Sequence, residues 1–270
     1  MNAPSDVWDT PVVDCHVHVF TQSMPLVSNP RHKPAYGFTV ERLVETLDAH
    51  KIPLAVIAAA SPWGDYNDYT IDCLRRYPRL RGTVILQPTV ERYALDQMKR
   101  DGVVGVRLPF INRSDVPDVT TPEYRRFLRR LVDLDWHVHL HIEGDKLPGT
   151  LPGLEASGVK IVIDHLGRPN PQEGVNSEGF RRLLKSIEHG RTWVKLSAAY
   201  RLGASAADYA HALVRDAGPE RLVWASDCPF VGDEAQVTYQ QTIDWFIECV
   251  PNAATRRKIG CDTPLALYFS

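Results

Sequence analysis

Apolar and polar positions along the chain follow two alternating periods. Short runs rich in β-branched residues, namely PVVDCHVHVF, LAVIAAA, GTVILQ, VVGVRLPF, HVHLHIEG, KIVIDHLG, TWVKLS and RLVWASDCPF, read as eight strands. Between them, residues 39–50, 65–77, 122–132, 177–188, 205–216 and 236–249 carry apolar residues at helical spacing. Strand and helix alternate with no Gly/Ser linker and no break in composition, which predicts a parallel α/β sheet in one domain over residues 1–270. Eight such units in 270 residues predict a closed (β/α)8 TIM barrel, since an open doubly wound sheet would carry a GxGxxG phosphate fingerprint that is absent. Functional groups then belong at the C-terminal ends of the strands and in the loops that follow.

Composition restricts the partners. The formal net charge is −2, with 44% hydrophobic and 24% charged residues, so no basic excess suited to nucleic acid is present. The longest purely apolar run, Leu54 to Ala60, is too short to span a bilayer, and the opening MNAPSDVWDT lacks the cationic and apolar regions of a signal peptide. We therefore expect a cytoplasmic protein with a small-molecule partner, no nucleic-acid or membrane partner, and self-association into a homo-oligomer left open. Cys15, Cys73, Cys228, Cys249 and Cys261 are odd in number and lack CxxC spacing, which predicts reduced thiols rather than a disulfide framework or zinc knuckle.

The candidate chemistry sits at strand ends. His16 and His18 are two apart, so they share a strand face, separated by roughly 6.6 Å of rise. The expected arrangement packs Cys15, Val17 and Val19 beneath the helices and turns both imidazoles into the barrel mouth. A lone HxH fits two hydrogen-bonded barrel histidines as well as it fits ligands. The sixth strand, however, ends in His165 after Ile161 and Ile163, expected inward, and the eighth ends in Asp227 after Val223 and Ala225, also expected inward. Three histidines and a carboxylate converging on one mouth can bind a divalent metal, or polarise a carbonyl while Asp227 takes a proton from water.

Arginines form a second set. Arg107 ends strand four, Arg113 follows in its loop, Arg168 lies three residues past His165, and Arg201 lies just past strand seven. Guanidinium groups gathered at one end repel one another unless anions separate them, and their fork suits carboxylates, so a substrate with more than one carboxylate is expected. His141 tops strand five, whereas His137 and His139 lie lower and are expected to be barrel-core groups. Tyr36 in the loop after strand one and Ser61 at the end of strand two could each bring a hydroxyl to a ligand.

With these residues the chain resembles the amidohydrolase superfamily, whose barrels carry an HxH after strand one, a His at strand six and an Asp at strand eight; His16, His18, His165 and Asp227 match. The segments DHLGRPNPQEGVNSEGF, GVVGVRLPFINR, LDWHVHLHIEG and LVWASDCPF resemble the lactonase branch, most of all the 2-pyrone-4,6-dicarboxylate lactonases, and the likeness runs from Val12 to Tyr268. The resemblance implies a lactone hydrolase of aromatic catabolism. Asp227 would activate water, His16, His18 and His165 would orient or polarise the lactone carbonyl, and Arg107, Arg113, Arg168 and Arg201 would hold carboxylates, with Tyr36, Ser61 and His141 in support. Where the family has a tyrosine at the end of strand five, this chain has His141. Arg107 stands where binuclear members carry a bridging lysine, so a binuclear metal centre is not expected. The implied site works with no cofactor, or with a single zinc on His16, His18, His165 and Asp227. The same residues also suit a zinc-dependent decarboxylase of an unsaturated or aromatic acid, or a hydrolase of sugar or sulfonated lactones.

Overall fold

A computed structural model of the chain describes residues 10–170 and 172–270. Its eight strands, β1 (Val13–Val17), β2 (Leu54–Ile57), β3 (Leu80–Val84), β4 (Val103–Pro109), β5 (His137–His141), β6 (Lys160–Ile163), β7 (Thr192–Leu196) and β8 (Leu222–Trp224), pair in parallel in chain order. A parallel bridge between Val17 and Cys228 returns the end of the sheet to β1. Helices α1 (Val40–Ala49), α2 (Asp68–Arg76), α3 (Arg92–Arg100), α4 (Pro122–Asp133), α5 (Leu147–Ser157), α6 (Glu178–Glu188), α7 (Ala206–Asp216) and α8 (Tyr239–Cys249) complete the alternation, and α9 (Ala253–Arg257) and α10 (Thr263–Tyr268) follow. Four of these, α3, α5, α9 and α10, have no counterpart among the expected helices, the last two being only 5 and 6 residues long. In α3 only Leu95 is buried, which leaves a short apolar stripe, and α5 carries Pro152 inside LPGTLPGLEAS and has no distinct polar face.

The strands divide the core in two. Ile57, Val106, Val138, Leu140, Ile161, Ile163, Leu196 and Trp224 pack outward with Leu43, Phe127, Leu151, Leu183 and Phe246 of the helices. A smaller cluster joins Val13, Cys15, Val56, Val162, Val223 and Ala225 to Leu267 and Tyr268 of α10, which plug the barrel. Two expectations about facing are corrected here. Ile161 and Ile163 lie under the helices, and Val162 takes the inward face of β6. Cys15 is inside the barrel, because a register shift between Asp14 and Val17 breaks the alternation of β1, while Val17 and Val19 pack outward as expected.

Candidate active site

Asp227 is the centre of the site. Its Oδ1 lies 3.5 Å from Nε2 of His16, 3.4 Å from Nε2 of His18 and 3.7 Å from Nε2 of His165. Two of these four residues arrive by a break in strand geometry: His165 has φ 52° and Asp227 has φ 71°, left-handed values that a continuing strand would not allow. At the end of β6 the inward position thus passes to Asp164, and the turn after it swings His165 into the mouth. The Asp227 amide donates to the His16 carbonyl at 3.0 Å, and the His18 amide donates to the Cys228 carbonyl at 2.8 Å, stitching the ends of β1 and β8 together.

The other Asp227 oxygen is held as firmly. The Tyr200 hydroxyl donates to Oδ2 at 2.6 Å and Nε of Arg201 donates to it at 3.2 Å. Burial alone would raise the Asp227 carboxyl, but the Arg201 guanidinium beside it helps to hold it well below the usual carboxylate range. Burial pushes the His165 imidazole down to about 3, against the pull of Asp227, and pushes His16 well below its ordinary value, so both rings are neutral at neutral pH.

Beneath them lies a buried charge cluster that sequence reading overlooked. Asp164 pairs with Nε of Arg107 at 3.0 Å and with Nζ of Lys195 at 3.0 Å, all three fully or nearly fully buried. Nζ of Lys195 also lies 2.9 Å from Nδ1 of His16 and 3.0 Å from Nδ1 of His139. Alternation in TWVKLS would have turned Lys195 inward with Trp193 and Ser197, but only the fold shows that Asp164 faces it. Burial lifts Asp164, yet Lys195, His16 and Arg107 keep it ionised, well below its ordinary value.

The cavity above opens to solvent, and its walls include His18, His141, His165, Asp227, Arg107, Arg201 and Ser61. Arg107 is not a free clamp: besides Asp164 it donates to the Ala59 carbonyl at 3.0 Å and to Nδ1 of His141 at 3.1 Å. Because guanidinium only donates, His141 carries its hydrogen on Nε2, which is buried without a partner among the described residues. Arg201 likewise spends its donors on Asp227, on Asp233 at 2.7 Å and on the Val231 carbonyl. Arg168 is half-buried with an unpartnered Nη1, and burial and Arg201 lower its pKa. Three expected ligands, Arg168 among them, stand outside the lining. Arg113 is exposed and donates to the Asp115 carbonyl, and the Tyr36 hydroxyl donates to Glu234 at 2.7 Å while its ring packs on Phe20.

Arg31, which no sequence pattern marked, lines the cavity from the loop after β1. It is half-buried, and among the described residues it has neither a hydrogen bond nor an ion pair. Burial, followed by Arg168, Arg201 and Arg107, brings its pKa down to about 10.

Three imidazole nitrogens and a carboxylate oxygen at this spacing match by atom type the donors that hold zinc, and His16, His18 and Asp227 form one group with ligand atoms within 4.8 Å of one another. Ligation also needs a bare Nε2 on each ring. The carbonyl of Ala58, 2.7 Å from Nδ1 of His18, places a hydrogen there and leaves Nε2 bare in the neutral ring. For His16 the outcome depends on Lys195 and Asp164, both beside its Nδ1.

Comparison with known proteins agrees with this architecture. The chain is 28% identical over 277 residues to 4-sulfomuconolactone hydrolase of Hydrogenophaga intermedia, covering 98% of this chain and 89% of the relative. It is 28% identical over 284 residues to 2-pyrone-4,6-dicarboxylate hydrolase of Comamonas testosteroni, covering 95% and 90%. A Pseudomonas putida structure provisionally named 2-pyrone-4,6-dicarboxylic acid hydrolase superposes with a TM-score of 0.89 at 35% identity, over 96% of this chain and 97% of that one. No helix of the described residues is long and apolar enough to cross a membrane. The amidohydrolase family model matches residues 13–269, and the chain belongs to the amidohydrolase family.

Proposed function

We propose that the protein hydrolyses an anionic lactone, with 2-pyrone-4,6-dicarboxylate and 4-sulfomuconolactone as the first substrates to test. The observation that carries this reading is Asp227, an ionised carboxylate facing three imidazoles in a cavity that also holds the unpaired guanidinium of Arg31. A carboxylate or sulfonate on the lactone would meet Arg31, with Arg168 and Ser61 nearby to share it. The relatives named for a dicarboxylate and for a sulfonate lactone support this substrate class.

In the reaction Asp227 accepts a proton from water as the water oxygen bonds to the lactone carbonyl carbon. Asp227 is a weak base here, because its neighbours hold its pKa low, so much of the barrier must be lowered at the carbonyl. The imidazoles of His165 and His141 line the space where negative charge builds on the carbonyl oxygen, and fixed donors are worth most where charge develops. The ring carbon–oxygen bond then breaks, and the departing oxygen takes back the proton held by Asp227. If one divalent ion were held by His16, His18, His165 and Asp227, it would act as a Lewis acid on the same carbonyl in place of the ring N–H groups, and Asp227 would keep its role toward water. Cytoplasmic placement fits a site of this kind acting on a charged metabolite.

Loss of the lactone ultraviolet absorbance, followed with purified protein, tests the reading. Turnover of at least one of the two anionic lactones, with one equivalent of acid released and no carbon dioxide, is expected. No turnover of either, or release of carbon dioxide from an aromatic or unsaturated acid instead, would replace it with the decarboxylase reading.

A further inference from the structure

The buried ammonium of Lys195 faces three acceptors: Nδ1 of His16 at 2.9 Å, Nδ1 of His139 at 3.0 Å and Oδ1 of Asp164 at 3.0 Å, the last an ion pair rather than an aligned hydrogen bond. An ammonium has three N–H donors and no lone pair. A neutral amine in the same place would leave Asp164 with Arg107 alone in a buried interior, where an under-compensated carboxylate is costly. We propose that Lys195 is a positioning residue that fixes the tautomer of His16, placing its hydrogen on Nε2 and so turning the histidine–aspartate quartet into a hydrogen-bonding site that disfavours a divalent metal.

The neighbours of His16 make this tautomer self-consistent. With Lys195 donating to Nδ1, the only ring hydrogen of neutral His16 sits on Nε2, 3.2 Å from Nε2 of His18. That atom of His18 is bare, because its Nδ1–H is given to the Ala58 carbonyl at 2.7 Å. A directed chain results: Lys195 to His16, His16 to His18, His18 to Ala58. The alternative tautomer would give Nδ1–H of His16 to Asp164, 3.3 Å away. It would then point two bare Nε2 atoms and Asp227 Oδ1 at one another, an arrangement that only a cation between them could relieve. Asp164 is the weaker claimant on Nδ1, since it is farther than Nζ and already faces two cations.

His16 and Lys195 come from β1 and β7, so no local pattern couples them. The inference rests on the geometry of the quartet and not on which lactone is the substrate; failure of lactone turnover would leave it standing.

Two measurements test it. On wild-type protein with 15N-labelled histidine, long-range 1H–15N spectra, with His16 assigned by the cross-peaks lost in His16→Gln, should show Nε2 protonated and Nδ1 bare. After chelation and equilibration with zinc chloride alone, mass-spectrometric metal analysis should find zinc affinity in Lys195→Met higher than in wild type by on the order of 10- to 100-fold, the usual reach of a residue behind a ligand. A wild-type His16 protonated at Nδ1, or equal zinc affinity in the two proteins, overturns the proposal. Should Lys195→Met fail to fold, the wild-type spectrum decides alone.

Discussion

Arg201 and Asp227 are joined directly, with Nε of the arginine 3.2 Å from Oδ2 of the aspartate, so a guanidinium expected to grip substrate is bound to the proposed general base. Its Nη1 reaches Asp233 at 2.7 Å, which anchors the pair to the loop after β8. Arg201→Lys would keep one charge and lose the fork. We expect kcat to fall by about 10- to 100-fold, the scale of a hydrogen bond to a charged group, with KM changing much less. A rise confined to KM in steady-state kinetics would make Arg201 a substrate clamp after all.

Arg31 should behave in the opposite way. It contacts no protein acceptor among the described residues, so Arg31→Met removes nothing from the fold while deleting the free cation of the cavity. The expected result is a KM for an anionic lactone raised by about 10- to 100-fold, with kcat and melting temperature close to wild type. Unchanged KM would show that the anion is recognised elsewhere.

Asp227→Asn replaces the proposed proton acceptor with an amide of the same shape. Turnover should drop by about 10²- to 10⁴-fold, the usual weight of a general base. Binding of an anionic lactone, read by calorimetry, should hold or tighten, because a negative charge leaves the cavity. Activity within a few-fold of wild type would show that another group takes the proton.

Acid should unfold the protein early. His16, His137, His139, His141 and His165 are buried, and burial lowers the pKa of each in the folded state, to about 4 for His137 and about 3 for His165. In the unfolded chain these rings bind protons from about pH 6.5 downward, while the folded protein does not. Stability is therefore level above about pH 6.5 and falls as pH drops toward 4, at up to about 1.4 kcal/mol per pH unit for each ring. Below the ordinary aspartate range Asp164 and Asp227, whose folded pKa values are depressed, add to the loss as they protonate. Urea midpoints measured between pH 8 and pH 4 check this; a flat profile would mean that the histidines are solvated.

The barrel and the heart of its site were legible because their signals are local. A β-branched run followed by an amphipathic stretch specifies a β/α unit, and eight of them leave few ways to close. His16, His18, His165 and Asp227 each end such a run, and ends of barrel strands share one mouth whatever the loops do. Side-chain direction at those ends was less legible. Period-two reasoning put Ile161, Ile163 and Cys15 on the wrong faces, since the bulge in β1 and the left-handed turn at His165 reset the alternation.

Eight β/α units and the residues closing their strands were thus determined by the order of amino acids alone. Tertiary packing decided which charges meet. Lys195 and Asp164, 31 positions apart, pair only because the ends of β6 and β7 turn both into one buried interior, and Arg113 and Tyr36 stand outside the cavity lining, where they meet nearer partners. Electrostatic pairing depends on distance through space, which a strand pattern does not encode.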